Sequence, residues 1–135
     1  MALTKVTAAV LEPTAVTDNI SSGSISSDKI ANDAVSYAKL GSEFTTAAAL
    51  SASDVDFSTA QVFTKTLTAN DTLTFSNVST GMVKDLVITG NFTLTLPSSV
   101  KVISGTYDGT VSNLIQIVAT NGATEQWASI SQEAV

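Results

Sequence analysis

The chain of 135 residues is 44% hydrophobic but only 13% charged, and its net charge is −6 at pH 7. This composition fits one folded domain rather than a disordered chain. The acidic balance argues against a nucleic-acid partner, which would need clustered basic residues. The sequence contains no cysteine, histidine or arginine. This excludes thiol chemistry and a histidine general base, so we expect no enzyme activity, cofactor or metal.

The missing charges are replaced by 20 threonines and 18 serines. Such an uncharged polar surface suits dense β-structure and closely packed subunits. No apolar run approaches the ~18 residues of a membrane span, so we expect no membrane insertion. The N-terminal stretch lacks the unbroken apolar core of a signal peptide, which favours assembly in the cytoplasm.

Residues 1–51 are predicted to form an N-terminal docking arm followed by a spacer. Pro13 interrupts any helix in the first 20 residues. The apolar residues there have no clear period, but they could anchor the arm on another surface. The predicted anchors are Leu3, Val6, Val10, Leu11, Val16 and Ile20.

The spacer contains a ten-residue repeat, SGSISSDKIA followed by NDAVSYAKLG, over residues 22–41. One interpretation is an amphipathic helix over residues 28–40, with Ser27 as N-cap and Gly41 as the C′ residue. The other is an extended segment with regularly spaced apolar anchors. Neither form buries enough apolar surface alone, so we expect the repeat to order through subunit assembly. Its predicted assembly residues are Ile25, Ile30, Val35 and Leu40.

Residues 52–135 are predicted to form a β-domain. Segments such as QVFTKTLT, DTLTFSN and NFTLTLP alternate apolar and polar residues with a period of two, and DLVITG and NLIQIVAT suit central strands. The pair Gly90–Asn91 joins two such runs and predicts a tight hairpin. Strands at roughly ten-residue spacing favour a mainly β fold with an antiparallel sandwich or barrel-like domain.

Five side chains of the β-domain are candidates for binding. Asp54 and Asp56 would share one face of a strand, but two carboxylates make a poor metal site, and a solvated strand start is the simpler interpretation. Trp127 is interpreted as a core or subunit-interface residue rather than a glycan contact. Tyr107 lies in a turn and is the best candidate for a surface contact, with Asn121 in a second turn.

Edge strands provide a further argument for assembly. The β-domain contains only three cations, Lys65, Lys84 and Lys101. Because natural monomers protect sheet edges with lysine or proline, we expect sister subunits to cover many of the edges here.

The segment ISSDKIANDAVSYAKL, residues 25–40, resembles linker repeats in tail-fibre and related virion proteins of tailed bacteriophages. The segments VDFSTAQVFTKTLTANDTLTFSNVSTG and TLTLPSSVKVISG, residues 55–81 and 93–105, resemble a small β-domain often appended to such fibres. The resemblance covers about residues 20–130. It implies a homotrimer on the virion exterior, and it transfers no catalytic residue.

Because tail fibres are usually long chains, 135 residues favour a head-decoration protein, a head fibre or a small tail appendage. The expected partners are sister copies and capsid or tail proteins, with assembly in the host cytoplasm. An alternative is a tail-fibre module that binds host glycans through the loops around Tyr107 and Asn121. A cell-surface or biofilm matrix protein is a third class, and an enzyme is a distant fourth.

Overall fold

The computed structural model describes residues 30–32 and 34–134, and the protein is mainly β. The chain divides into two units after Ala38, and all strands of the described residues lie in the second unit. The predicted boundary after residue 51 stays a prediction, although the first strand of the second unit already lies before it.

The regular elements are short except for three strands. A 3-10 helix spans Tyr37–Lys39, and helix α1 spans Ser42–Thr45. Ten strands follow: β1 (Ala48–Ala49), β2 (Asp54–Asp56), β3 (Val62–Thr66), β4 (Asp71–Thr72), β5 (Thr74–Ser76), β6 (Val83–Thr89), β7 (Leu94–Thr95), β8 (Val100–Ser104), β9 (Asn113–Asn121) and β10 (Glu125–Gln132).

The helical interpretation of residues 28–40 is wrong over the part that the structure describes. Residues 30–32 and 34–40 contain two short structures instead of a helix. One is a turn in which Ala34 N–H donates to the Ala31 carbonyl, and the other is the single 3-10 turn. The stretch contains asparagine and serine, residue types that compete with the helical backbone for hydrogen bonds and so disfavour a helix. The spaced residues Ile30, Val35 and Leu40 are all exposed.

Successive turns of the chain stack strands in parallel, as in a solenoid. Strand β6 lies on β3 with Val62 opposite Asp85, and β7 lies on β4 with Asp71 opposite Leu94. Both pairings join residues 23 positions apart, so one turn of the chain takes 23 residues here. Strands β1 and β2 pair in the same parallel manner with β3 and β5.

An antiparallel hairpin ends this stack. Strand β9 pairs antiparallel with β6, β10 pairs antiparallel with β9, and β8 pairs parallel with β10. The six-stranded sheet therefore has the order β1-β3-β6-β9-β10-β8. Pairs β2–β5 and β4–β7 form two further small sheets.

The mainly β class is confirmed, but the predicted antiparallel sandwich or barrel is not what the strands form. Five of the seven strand pairings in the described part of the chain are parallel. The predicted hairpin at Gly90–Asn91 is wrong, because β6 and β7 pair with different strands. Gly90 has φ 110° and turns the chain toward β7, and a Cβ there would lie 2.4 Å from the Leu67 carbonyl oxygen. Only glycine fits this position.

The core lies inside the coil and under the hairpin. Leu86 and Ile88 of β6 alternate with outward residues and lie beside Ile115 and Ile117 of β9. The prediction of central strands for DLVITG and NLIQIVAT is confirmed, since β6 and β9 lie in the middle of the sheet. The remaining core side chains come from the strands and loops of residues 55–73 and from β10. They are Val55, Phe57, Ala60, Phe63, Leu67, Leu73 and Ala128.

Candidate functional site

The outer face of the six-stranded sheet carries a row of exposed apolar side chains. Strand pairing places Val83 of β6 opposite Val118 of β9, and Val118 opposite Trp127 of β10. These side chains are 47%, 41% and 42% exposed. Strand alternation produces this row, since the inward neighbours of Trp127, Gln126 and Ala128, are fully buried. We call Val83, Val118 and Trp127 the outer row.

A polar network holds the tryptophan at the end of the outer row. Glu125 accepts hydrogen bonds from the indole N–H of Trp127 and the hydroxyl of Thr120, each at 3.0 Å, and forms an ion pair with Lys101. The Lys101 ammonium lies 5.9 Å from the indole centroid, within cation–π range. These contacts, Lys101 first, lower the pKa of Glu125 to about 2. The result is an oriented aromatic surface beside a fixed charge pair.

Strand β8 borders this network and ends the sheet. Its residues from Lys101 to Ser104 are all exposed, including Val102 at 47% and Ile103 at 60%. An open apolar groove runs beside the strand, lined by Leu94, Leu96 and Tyr107. An exposed strand with two large apolar side chains is a candidate contact surface for another chain.

Tyr107 is half-buried and serves the fold. Its hydroxyl donates to the Gly90 carbonyl at 2.7 Å, and burial, with the nearby charge of Asp108, raises its pKa. The fully buried amide of Asn113 holds the same loop by accepting from Asp108 N–H and donating to the Asp108 and Val111 carbonyls. Tyr107 therefore lines the groove while its hydroxyl is held by the fold.

Asn121 is exposed at the turn between β9 and β10, where its carbonyl accepts bonds from Thr124. Tyr107 lies at the other end of β9, because its neighbour Asp108 contacts Asn113. At about 3.3 Å per residue, the eight steps from Asn113 to Asn121 span roughly 26 Å. The structure therefore does not bring the two predicted contact residues together.

The predicted anchoring residues of the arm lie outside the described residues, as does one predicted assembly residue. They are Leu3, Val6, Val10, Leu11, Val16, Ile20 and Ile25. The other assembly residues, Ile30, Val35 and Leu40, present exposed apolar side chains. Their roles stay predictions.

The carboxylates of Asp54 and Asp56 are occupied by protein donors. Asp54 accepts from the hydroxyls of Thr74 and Ser76, and Asp56 accepts from Asn77 and from Ser58. These bonds, Asn77 first, lower the pKa of Asp56. Within residues 30–32 and 34–134, no group of three or more acidic side chains is placed to hold a metal ion.

The exposure of Trp127 contradicts one of its two sequence-based interpretations. Its core alternative is wrong, because the side chain lies on the outer face, and its interface alternative stays a prediction. The signal was present in WASIS: Trp127 shares a face with Ser129, whereas the small Ala128 faces inward.

No helix in the described part of the chain is long and apolar enough to cross a membrane. Comparison with protein families, curated proteins and solved structures finds no match.

Proposed function

We propose that the chain is a non-enzymatic structural protein of a bacteriophage virion exterior. It forms a homotrimer and attaches to the particle through its N-terminal arm, as a head-decoration protein, head fibre or small tail appendage. The phage assignment rests on the resemblance of residues 25–40 and of the two β-segments to virion repeats. The non-enzymatic assignment rests on a sequence without histidine or cysteine.

The observation that carries the self-association is the outer row. Three large apolar side chains stand in register on three paired strands and remain 41–47% exposed. Contiguous exposed apolar surface of this kind marks interaction sites. Burial against another subunit contributes about 25 cal/mol per Å² of apolar surface removed from water, before the costs of association.

The N-terminal arm strengthens attachment to the virion because each trimer carries three copies of it. Three arms on one trimer contact a virion surface at a high effective concentration, so weak single contacts combine into stable attachment. The exposed spacer residues Ile30, Val35 and Leu40 offer apolar positions for contact between sister copies.

The test is the solution mass of the full chain by light scattering, as a function of concentration. We expect three times 13.9 kDa for the wild type. Val118→Ser should weaken the trimer, since it places a hydroxyl in the middle of the outer row. Ser131→Ala, on the same outer face, is the matched control and should keep the trimer. A wild-type monomer at all concentrations would contradict the proposal.

A glycan-binding module is the second candidate, and the exposure of Trp127 favours it. Pyranose rings stack on exposed aromatic rings, and Glu125 with Thr120 supplies neighbouring polar groups. This site differs from the one predicted around Tyr107 and Asn121. Titration of bacterial surface glycans would support it if binding occurs and Trp127→Ala abolishes it. Virion binding without glycan binding would favour the structural role.

A further inference from the structure

Strand β8 presents an unprotected backbone edge. In the described part of the chain it pairs with one strand, β10, and stands at the end of the sheet. Gln126 N–H donates to the Ser99 carbonyl, so Ser99 and Lys101 direct their polar backbone groups toward β10. By strand alternation, the N–H and C=O of Val102 point away from the sheet.

The side chains of β8 do not shield this edge. Lys101 is the only charged residue of the strand, and its ammonium is held over Trp127 by the ion pair with Glu125. Val102 and Ile103 are about half exposed on opposite faces. An edge with valine and isoleucine and without a free charge is a template for a further strand.

Among the strands of residues 30–32 and 34–134, β1 is the other end of the same sheet. Leu50 N–H donates to the Thr64 carbonyl, so the polar backbone groups of Ala49 point away from β3 by the same alternation. The stretch around β1, residues 45–52, reads TTAAALSA and contains no charge. It offers no repulsion to the lysine of β8.

We infer that β8 of one copy of this chain pairs with β1 of the next copy. This inference rests on the homotrimer of the proposed function. In a three-fold ring each contact joins two different surfaces, because identical surfaces meet only across a two-fold axis. The two ends of the sheet are such a pair of different surfaces, and their contact repeats around the ring.

A second copy fits these edges better than a foreign peptide does. One head-to-tail contact satisfies the edge of β8 and the edge of β1 in every subunit of a closed ring. A foreign strand bound to β8 would leave β1 uncovered. The contact would also cover the groove beside β8, whose lining includes Leu94, Leu96 and Tyr107.

Proline substitutions at the outward-facing positions test the pairing in the full chain. Val102→Pro removes an N–H that points away from β10, and Val102→Thr keeps it with a side chain of similar size. Ala49→Pro and Ala49→Ser form the same matched pair on β1. We expect each proline, but neither control, to weaken trimer association at least about tenfold. Circular dichroism establishes that each variant is folded.

Cysteine crosslinking provides a second readout that does not depend on proline. The chain contains no cysteine, so engineered thiols are the only ones present. The doubly substituted Ala49→Cys, Val102→Cys chain should form a covalent trimer on mild oxidation, because each subunit donates one thiol to each neighbour. Val102→Cys alone should not crosslink.

The outcomes separate the two proposals. A wild-type chain that is not trimeric overturns the homotrimer of the proposed function and this inference with it. A wild-type trimer that tolerates both prolines, or whose doubly substituted chain gives no crosslink, overturns the inference alone. A dimer crosslinked by Val102→Cys by itself would mean that β8 pairs with β8. If Val102→Pro weakens association and Ala49→Pro does not, β1 is excluded as the partner of β8. Either result overturns it.

Discussion

The two faces of the six-stranded sheet use the same strands for different purposes. On β9, Ile115 and Ile117 face inward and are fully buried, whereas Val118 faces outward and is 41% exposed. Around Ile115 and Ile117 the inner face is covered within one chain. The outer face carries apolar side chains that a single chain leaves in water. We therefore expect inner substitutions to act on folding and outer substitutions to act on association.

The largest expected effect comes from the inner face. Ile117→Ala should lower the free energy of unfolding by about 2–5 kcal/mol, because it removes buried methylene groups and leaves a cavity. The adjacent Val118→Ala should change it by less than about 1 kcal/mol. Urea unfolding at a concentration where the chain is monomeric measures both. Equal losses at the two positions would contradict the difference between the faces.

The difference between the two faces could be predicted from the sequence, but the pairing could not. Period-two alternation in QVFTKTLT places Phe63 and Leu67 on one face, and the structure buries both, whereas Thr64 and Thr66 are exposed. Parallel or antiparallel pairing depends on where the turns direct the chain. The wrong hairpin at Gly90–Asn91 arose because the same residues suit a hairpin turn and a corner of the coil.

The candidate site was still less accessible from the sequence. Asn121 and Tyr107 both lie in turn sequences, and no local pattern reveals that they stand at opposite ends of β9. The network around Glu125 joins Lys101 of β8 to Trp127 of β10, and it depends on a parallel pairing between residues 25 or 26 positions apart in sequence. In contrast, the scarcity of charged residues in β8 and around β1 is visible directly in the sequence.

The next largest loss of stability is expected at the loop that contains Tyr107, which the Asn113 amide holds. Asn113→Ala should cost about 2–3 kcal/mol, since it leaves the Asp108 N–H and several carbonyls without their buried partner. Thermal unfolding measures the loss, and limited proteolysis should cleave the loop faster. Ser112→Ala, at the preceding residue, is the control. Unchanged proteolysis in Asn113→Ala would mean that the amide does not hold the loop.

A buried lysine makes the inner face sensitive to pH. Lys84 is 6% exposed and donates to the Ala60 carbonyl and the Gln61 side chain, and desolvation lowers its pKa from 10.5. The unfolded chain therefore binds the proton more readily than the folded one. Relative to Lys84→Met, the free energy of unfolding of the wild type should increase as the pH rises from the lowered pKa toward 10.5. Below the lowered pKa this increase should be absent. Urea unfolding at several pH values tests this slope. A constant difference between the two proteins would contradict it.

The smallest effect belongs to the outer face, where solvent screens the charges. The bond from Lys101, with those from Trp127 and Thr120, lowers the pKa of Glu125 from 4.5 to about 2, so its contribution to stability is present above 4.5 and disappears as the pH falls through about 2. Protonation should weaken the bond from the Trp127 indole and the pair with Lys101. Tryptophan fluorescence should report this directly, because the chain contains one tryptophan. Glu125→Gln should remove the transition, whereas Glu133→Gln, at the other end of the hairpin, should keep it. A fluorescence midpoint near 4.5 in the wild type would mean that the network around Trp127 does not form in solution.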